Sequence, residues 1–295
     1  MKNFKLILLN FIIVACLFSC SSKEKFEPTS LLDYGVEKTI KTMNSLEAPD
    51  KYPRYINAGD SIWKTVGVKD WTSGFWPGTL WYAYEHSGNE DIKLQAERFT
   101  DPIEILANSP AENHDIGFMA YCSFGNGYRL TGNETYKTIL LNAADTLATL
   151  FNPKVGTILS WPKKLEEFGH NTIIDNMMNL ELLYWASRNG GDKYLYDIAE
   201  SHAEVTMKNF VRPDNSTFHV GCFDAETGTL VKGITHQGYA DNSMWARGQS
   251  WGIYGFAFAY RETGREDFLN TSINLANKFL ERLPEDGIPF WDFDD

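Results

Sequence analysis

The chain has 295 residues, of which 43% are hydrophobic and 22% are charged. These proportions are typical of a soluble globular protein, and they exclude a disordered, collagen-like or disulfide-framework chain. The 27 Lys and Arg residues against 39 Asp and Glu give a formal charge of −12. Non-specific nucleic-acid binding is therefore not expected, because phosphate contacts need basic side chains.

The first twenty residues are predicted to be an export signal. Lys2 and Lys5 precede an apolar stretch over residues 6–18 that is too short to span a bilayer. The stretch ends in Leu17-Phe18-Ser19-Cys20, which resembles a bacterial lipoprotein cleavage site. Residues 1–19 are then the signal peptide, Cys20 carries the lipid, and 20–30 form a linker. An ordinary secretory signal cut nearby is the alternative.

This signal predicts an exported protein, anchored by lipid in the periplasm or at the outer-membrane surface of a Gram-negative bacterium. The lipid anchor is then the only expected contact with a membrane. Of the cysteines beyond the signal, Cys122 and Cys222 are predicted to be free buried thiols, with a disulfide between them as the alternative. Spacings such as C-x-x-C or H-E-x-x-H are absent, so neither a metal nor a cofactor is expected.

The body of the chain, 31–295, is predicted to be an array of helices. Apolar residues over 136–151 recur at helical spacing, and so do those over 269–283. A short turn with Gly and an acidic or polar cap occurs four times, and each copy joins a more apolar helix to a more polar one. The apolar members are 74–86, 116–130, 174–188 and 243–262, and the polar members are 90–107, 134–151, 193–210 and 266–283. A helix at 31–46 precedes them, and 217–232 is the one good β-hairpin candidate.

Repeated helical hairpins with an apolar inner and a polar outer member indicate an all-α fold, an α/α toroid. About nine helices are predicted, whereas a closed toroid of six hairpins, (α/α)6, needs twelve. The expectation is therefore that the last helices are missing from this chain. A smaller open array that is complete as written is the alternative.

Polar and aromatic residues are concentrated just before or at the start of each apolar helix. Because the inner helices of a toroid run parallel, their N-termini should meet at one mouth and form a single site. Each acid alone could be a helix cap, and each Trp alone a core residue. Their repeated occurrence at the same end of successive helices favours a functional site. The clusters are 70–78, 113–118, 172–179 and 236–251.

Three of these segments resemble the unsaturated glucuronyl hydrolases of glycoside hydrolase family 88. They are His114-Asp115-Ile116-Gly117-Phe118, Ile174-Asp175-Asn176, and Thr235-His236-Gln237-Gly238-Tyr239 with the following Trp245-Ala246-Arg247-Gly248-Gln249-Ser250-Trp251. The resemblance runs from about residue 30 to the end. It implies an (α/α)6 barrel and an enzyme that removes a 4,5-unsaturated uronic acid from oligosaccharides left by polysaccharide lyases.

The resemblance also implies roles for individual residues. Asp175 matches the general acid/base and Asp115 the second essential acid. The sugar site would be lined by His219, Gln237, Arg247, Trp251, Trp161 and Trp76. The implied chemistry is hydration of the C4=C5 enol ether, which needs one carboxyl that is first acidic and then basic and therefore has a pKa near the working pH.

Three other interpretations remain open from the sequence. One is an unsaturated rhamnogalacturonyl hydrolase with the same barrel and chemistry but different local motifs. A second is an inverting glycosidase that uses the two acids as separate acid and base. The third is a lipoprotein that binds glycans without catalysis, which would need the aromatic residues but not both acids.

Overall fold

The computed structural model describes residues 28–46, 48 and 50–295. The predicted signal peptide and the lipidation site Cys20 lie outside these residues. Most of the described chain is helical, and its long helices form hairpins in the order that the sequence predicted.

One helix precedes four helical hairpins, and most bounds lie within a few residues of the prediction. The inner members of the second and third hairpins are not uniform α-helices, because one contains a π-helical turn and the other begins with a 3-10 segment. The bounds are α1 Pro28–Ser45; α2 Phe75–Ser87 with α3 Glu90–Thr100; α4 Glu104–Ala107; α5 Ile116–Ala120, the π-turn Tyr121–Gly125 and α6 Asn126–Thr131 with α7 Glu134–Ala148; α8 Leu165–Phe168; the 3-10 segment Ile174–Asn179 and α9 Leu180–Arg188 with α10 Tyr194–Phe210; α11 Ala246–Thr263 with α12 Glu266–Arg282; and short 3-10 turns at Asp101–Ile103 and Pro162–Lys164.

The turns between paired helices use the predicted capping chemistry. Gly88, Gly132 and Gly264 each end a helix with a positive φ, a conformation that costs glycine least. The side chain of Asn89 accepts hydrogen bonds from backbone N–H groups of the next helix, and Asn133 does the same. These caps reverse the chain sharply and set each outer helix against its inner partner.

The core lies between the inner and outer helices. On α7 the side chains of Tyr136, Ile139, Leu140 and Leu147 are buried, as their helical spacing predicted. The helix α12 differs from expectation, because Phe268 and Leu275, which were not on the predicted face, are buried, while Ile273 and Leu280 of that face are exposed. It packs mainly on α11.

Seven short strands connect the helices, and one sheet positions the candidate site. The strands are β1 Tyr52–Tyr55, β2 Lys64–Val66, β3 Phe151–Asn152, β4 Thr157–Ile158, β5 His170–Ile173, β6 Val220–Phe223 and β7 Leu230–Ile234. The predicted hairpin at 217–232 is confirmed as β6–β7, and β5 pairs with β6 on its other side. Since Ile173 lies opposite Val220, this pairing brings Asp175, two residues after β5, and His219, directly before β6, to the same end of the sheet.

Cys122 and Cys222 are both free, as predicted; the first is half-buried and the second buried. Among the helices of residues 28–295 that the structure describes, none has the length and hydropathy to cross a membrane.

Candidate active site

The four polar segments converge on one open pocket of about 430 Å³. Its walls come from the loop before α2, the start of α5, the 3-10 segment before α9 and the start of α11. The predicted meeting of the inner-helix N-termini at one mouth is therefore confirmed. The lining residues are Trp71, His114, Asp115, Phe118, Trp161, Ile173, Asp175, Met178, Gln237, Arg247 and Trp251.

Asp115 lies at the N-terminus of α5 without capping it through its side chain. Its backbone N–H instead donates to Asn113 Oδ1, at 2.9 Å. Burial, with a smaller contribution from the negative charge of Asp70, raises the pKa of Asp115 to about 7. The simple capping explanation for this acid therefore does not apply.

Asp175 lies in the 3-10 segment after β5 and has an acidity close to that expected for an acid/base residue. Burial raises its pKa to about 6, while the positive charge of Arg247 and the nearby His114 oppose the increase. The negative charge of Asp115 also raises the pKa of Asp175, but burial is the larger cause.

Two neutral imidazoles lie beside the two acids. His219 Nε2 is 3.8 Å from Asp175 Oδ2, and His114 Nε2 is 3.3 Å from Asp115 Oδ1. Burial lowers the pKa of His219 to about 3 and that of His114 to about 4, so both rings stay uncharged near neutral pH. His219 Nδ1 accepts the backbone N–H groups of His236 and Gln237, so the ring proton is on Nε2 and faces Asp175.

Arg247 supplies a positive charge at the rim of the pocket. Its Nη2 donates to Gln237 Oε1 at 2.5 Å, and its guanidinium lies 4.6 Å from the centre of the Trp245 ring and 5.3 Å from that of Trp71. Within the described part of the chain Arg247 forms no salt bridge with an acidic side chain. The guanidinium is therefore free to bind an anionic group of a ligand.

The predicted Trp161 and Trp251 line the pocket, whereas the predicted His219 is buried beside Asp175, edge-on to Trp161, and is not a lining residue. The resemblance assigned Trp76 to the sugar site, but in the structure Trp76 does not line this pocket, and the prediction is corrected. Its side chain is buried in the main core, edge-on to Phe99, because its position on α2 points toward α3. Trp71, in the loop just before α2, lies in the pocket instead.

Sequence reasoning missed further contributors to the site. Phe118 stands in a recognised motif, but only the structure shows that its ring reaches the pocket and stacks on Phe75. Asp292 is fully buried, and its carboxylate accepts hydrogen bonds from the Tyr239 backbone and the Ser243 hydroxyl. It thereby holds the loop that leads from Gln237 to α11, although nothing in its local sequence indicates this.

Within the described residues, no group of three or more His, Cys, Asp or Glu side chains is placed to hold a metal ion. The chemistry available from the pocket itself is proton transfer by two carboxyls with raised pKa, next to two neutral N–H donors and one guanidinium. Stacking faces for a sugar ring surround these groups.

Gly117→Ala should destabilise the fold and damage the site. A Cβ at this position would lie 2.5 Å from Asn179 Oδ1 and 2.9 Å from Asn179 Cα, closer than real contacts allow. We expect a loss of about 1–3 kcal/mol in the free energy of unfolding, measured by urea denaturation. Gly67→Ala is the control, because nothing lies within 4 Å of its added Cβ. Equal stability of the two variants would contradict the close packing of the two motifs.

The sequence profile of Glycosyl Hydrolase Family 88 matches residues 39–283. The chain belongs to this family. It is a glycoside hydrolase, and the family resemblance noted from its motifs is confirmed.

Known relatives agree with this assignment. An unsaturated glucuronyl hydrolase of Formosa agariphila is 38% identical over 97% of this chain and 73% of its own length. A solved unsaturated glucuronyl hydrolase specific for heparin is 39% identical, with a TM-score of 0.84 over 90% of this chain and 71% of that chain. Another from Bacillus sp. GL1, described as responsible for glycosaminoglycan degradation, is 36% identical, with a TM-score of 0.84 over 88% and 69%. The all-α, α/α toroid class is thereby confirmed.

Proposed function

We propose that this protein hydrolyses lyase-generated oligosaccharides of the glycosaminoglycan type by removing a 4,5-unsaturated uronic acid from the non-reducing end. The observation that carries the proposal is a pair of largely buried carboxyls with raised pKa, in a pocket that also presents a guanidinium with no salt bridge among the described residues. The names of the family 88 relatives support the same substrate class.

In the proposed reaction Asp175 first donates its proton to C4 of the C4=C5 double bond. Positive charge develops at C5 and is shared with the ring oxygen. Water then attacks C5, and the Asp175 carboxylate takes a proton from that water. The resulting hemiketal opens to a C5 ketone, and the hemiacetal left at C1 releases the remaining sugar. One water is consumed, and Asp175 ends protonated as it began.

The other groups bind and orient the substrate. Arg247 would hold the uronate carboxylate through parallel N–H donors, while Trp161 and Trp251 exclude water and stack on the ring. Asp115, close to the His114 imidazole, would accept a hydrogen bond from a sugar hydroxyl. An inverting glycosidase would instead need both acids to act at the anomeric carbon.

The proposal predicts a loss of activity at alkaline pH. Asp175 must be protonated in the free enzyme, and its pKa is raised to about 6, next to Asp115 at about 7. Because the two carboxyls titrate as a pair, kcat/KM should fall about tenfold per pH unit above roughly pH 6–7. The measurement is a pH profile of kcat/KM. A profile that stays flat to about pH 9 would exclude a carboxyl as the essential acid.

The direct test of function is loss of the ultraviolet absorbance of the conjugated enol ether. Purified protein is mixed with a panel of lyase-generated unsaturated disaccharides from chondroitin, hyaluronan, heparin and rhamnogalacturonan. Loss with the glycosaminoglycan members supports the proposal. Loss with the rhamnogalacturonan member alone favours the sister hydrolase, and binding without any loss favours a glycan-binding protein.

We also propose that the protein is exported and lipid-anchored through Cys20, in the periplasm or at the outer-membrane surface. The support is the order of Lys2 and Lys5, an apolar stretch and a cysteine at the N-terminus of the sequence. The test is incorporation of labelled fatty acid in a Gram-negative host, with Cys20→Ala as the control. Equal labelling of both forms, or none of either, would contradict the anchor.

A further inference from the structure

His114 is completely buried, and its two ring nitrogens have different surroundings. Nε2 faces Asp115 Oδ1 at 3.3 Å, whereas Nδ1 lies 3.3 Å from the side-chain nitrogen of Asn179 and 3.4 Å from Ser160 Oγ. Which nitrogen carries the proton depends on the groups around Nδ1, because a neutral imidazole has one donor and one acceptor.

The orientation of the Asn179 amide is fixed by the backbone. Asn179 Oδ1 accepts the N–H of Phe118 at 2.8 Å, so the amide nitrogen must point the other way, toward His114 Nδ1. Ser160 Oγ accepts the backbone N–H of Ile173 at 3.0 Å, which leaves the hydroxyl proton for the same Nδ1. Both neighbours of Nδ1 are therefore donors, and the ring proton must be on Nε2.

We propose that Asn179 is a positioning residue that fixes His114 as the Nε2–H tautomer, so that this N–H faces the pocket beside Asp115. The contact between Nε2 and Asp115 Oδ1 is not a hydrogen bond, and Nε2 has no other hydrogen-bond partner among the described residues. The N–H is therefore available to a ligand in the pocket, and its part in catalysis rests on the proposed function.

The other charged groups act on the two acids and leave the contacts at His114 Nδ1 unchanged. The second imidazole, His219, lies 3.8 Å from its acid against 3.3 Å for His114, and its Nε2 also has no hydrogen-bond partner among the described residues. Asp70 repels an ionised Asp115, but its own carboxylate is paired with Arg54 at 3.1 Å and accepts from Thr72. The groups that face the two acids are Asp70, His114, His219 and Arg247.

The close packing of Gly117 against Asn179 supports the same positioning of His114. A side chain larger than hydrogen at Gly117 would overlap Asn179, so the glycine lets the amide reach both Phe118 N–H and His114. The segment with one acid is thus joined to the segment with the other through one buried amide. Asn179 also lies 3.4 Å from Asn176 Oδ1, a second acceptor for its amide protons.

The tautomer can be read directly by nitrogen-15 NMR of the histidine-labelled wild-type protein. The sequence has six histidines, and the signal lost in His114→Gln assigns the ring. We expect a neutral Nε2–H ring across the working pH range. A neutral Nδ1–H ring, or an imidazolium near neutral pH, would overturn the proposal. This result does not depend on turnover, so it stands apart from a failure of the proposed function.

Asn179→Asp tests the consequence for catalysis. The new carboxylate can still accept the Phe118 N–H, but its other oxygen would draw the ring proton to Nδ1. We expect kcat to fall roughly 10–100-fold with KM changed less than about twofold, a displaced pH profile, and an Nδ1–H signal. Ser160→Ala is the comparison variant, because Asn179 alone should keep the Nε2–H tautomer.

Two outcomes would contradict the proposal. One is a folded Asn179→Asp protein that keeps the wild-type kcat, pH profile and His114 signal. The other is a Ser160→Ala protein whose His114 tautomer changes although Asn179 is intact. If Asn179→Asp does not fold, the wild-type spectrum still decides the tautomer.

Discussion

Asp175→Asn should lower kcat for hydrolysis of the unsaturated disaccharides by about 10²–10⁴-fold, with little change in KM. The amide has nearly the same shape but cannot donate a proton to C4 or accept one from water. Removing this buried acid should not unfold the protein, because its charged form is already disfavoured by burial. The measurement is initial rate against substrate concentration for wild type and variant.

The control is Asp145→Asn, an exposed acid on the outer helix α7. It makes the same chemical change at a site that contacts no part of the pocket, and its rate should equal that of the wild type. A fully active Asp175→Asn protein would show that Asp175 is not the acid/base, and Asp115 would then be the candidate for that role.

Arg247→Gln should weaken substrate binding by roughly 10–100-fold, seen mainly in KM. A charge-assisted hydrogen bond is worth about 1.5–3 kcal/mol, and the guanidinium has no carboxylate partner of its own among the described residues. The effect should depend on substrate charge. The methyl ester of the unsaturated uronate should bind wild type and variant with nearly equal affinity.

Arg261→Gln is the matched control, since Arg261 lies on the same helix α11 at the end away from the pocket. It pairs with Glu181 and Glu262 and should leave KM unchanged. If Arg247→Gln binds acid and ester as well as the wild type does, the guanidinium does not recognise the carboxylate.

The helical hairpins could be predicted because each leaves a local signal. A glycine turn with a polar cap marks every reversal, and apolar spacing marks the face that α7 buries. The same spacing was less informative on α12, where Leu280 belongs to the apolar stripe but is 64% exposed. Spacing shows which residues share a face, whereas burial depends on what packs against that face.

The site could be located from the sequence because parallel inner helices place distant segments at one mouth. Which of two nearby tryptophans enters the pocket could not be predicted. Trp71 and Trp76 are five residues apart, and the choice depends on where α2 begins and which side of it faces α3. The tautomer of His114 was also beyond prediction, because it is set by Asn179, 65 residues later.

Asp292 makes another contact between distant residues that could not be predicted from the sequence. Its carboxylate fixes the backbone N–H of Tyr239, 53 residues earlier, and thereby the loop between Gln237 and Arg247. Because Asp292 is buried and hydrogen-bonded to this loop, it supports the proposed substrate site. No local sequence pattern indicates such a contact.

The central claim is hydration of the C4=C5 bond by Asp175, and a carbon-linked analogue of the unsaturated disaccharide tests it most directly. In this analogue a carbon atom replaces the glycosidic oxygen, so cleavage at the anomeric centre is impossible while the enol ether is intact. We predict that wild-type protein removes the enol-ether absorbance of the analogue and that Asp175→Asn does not. Cleavage of the natural oxygen-linked substrate with no reaction of the analogue would contradict hydration and favour direct glycosidic hydrolysis.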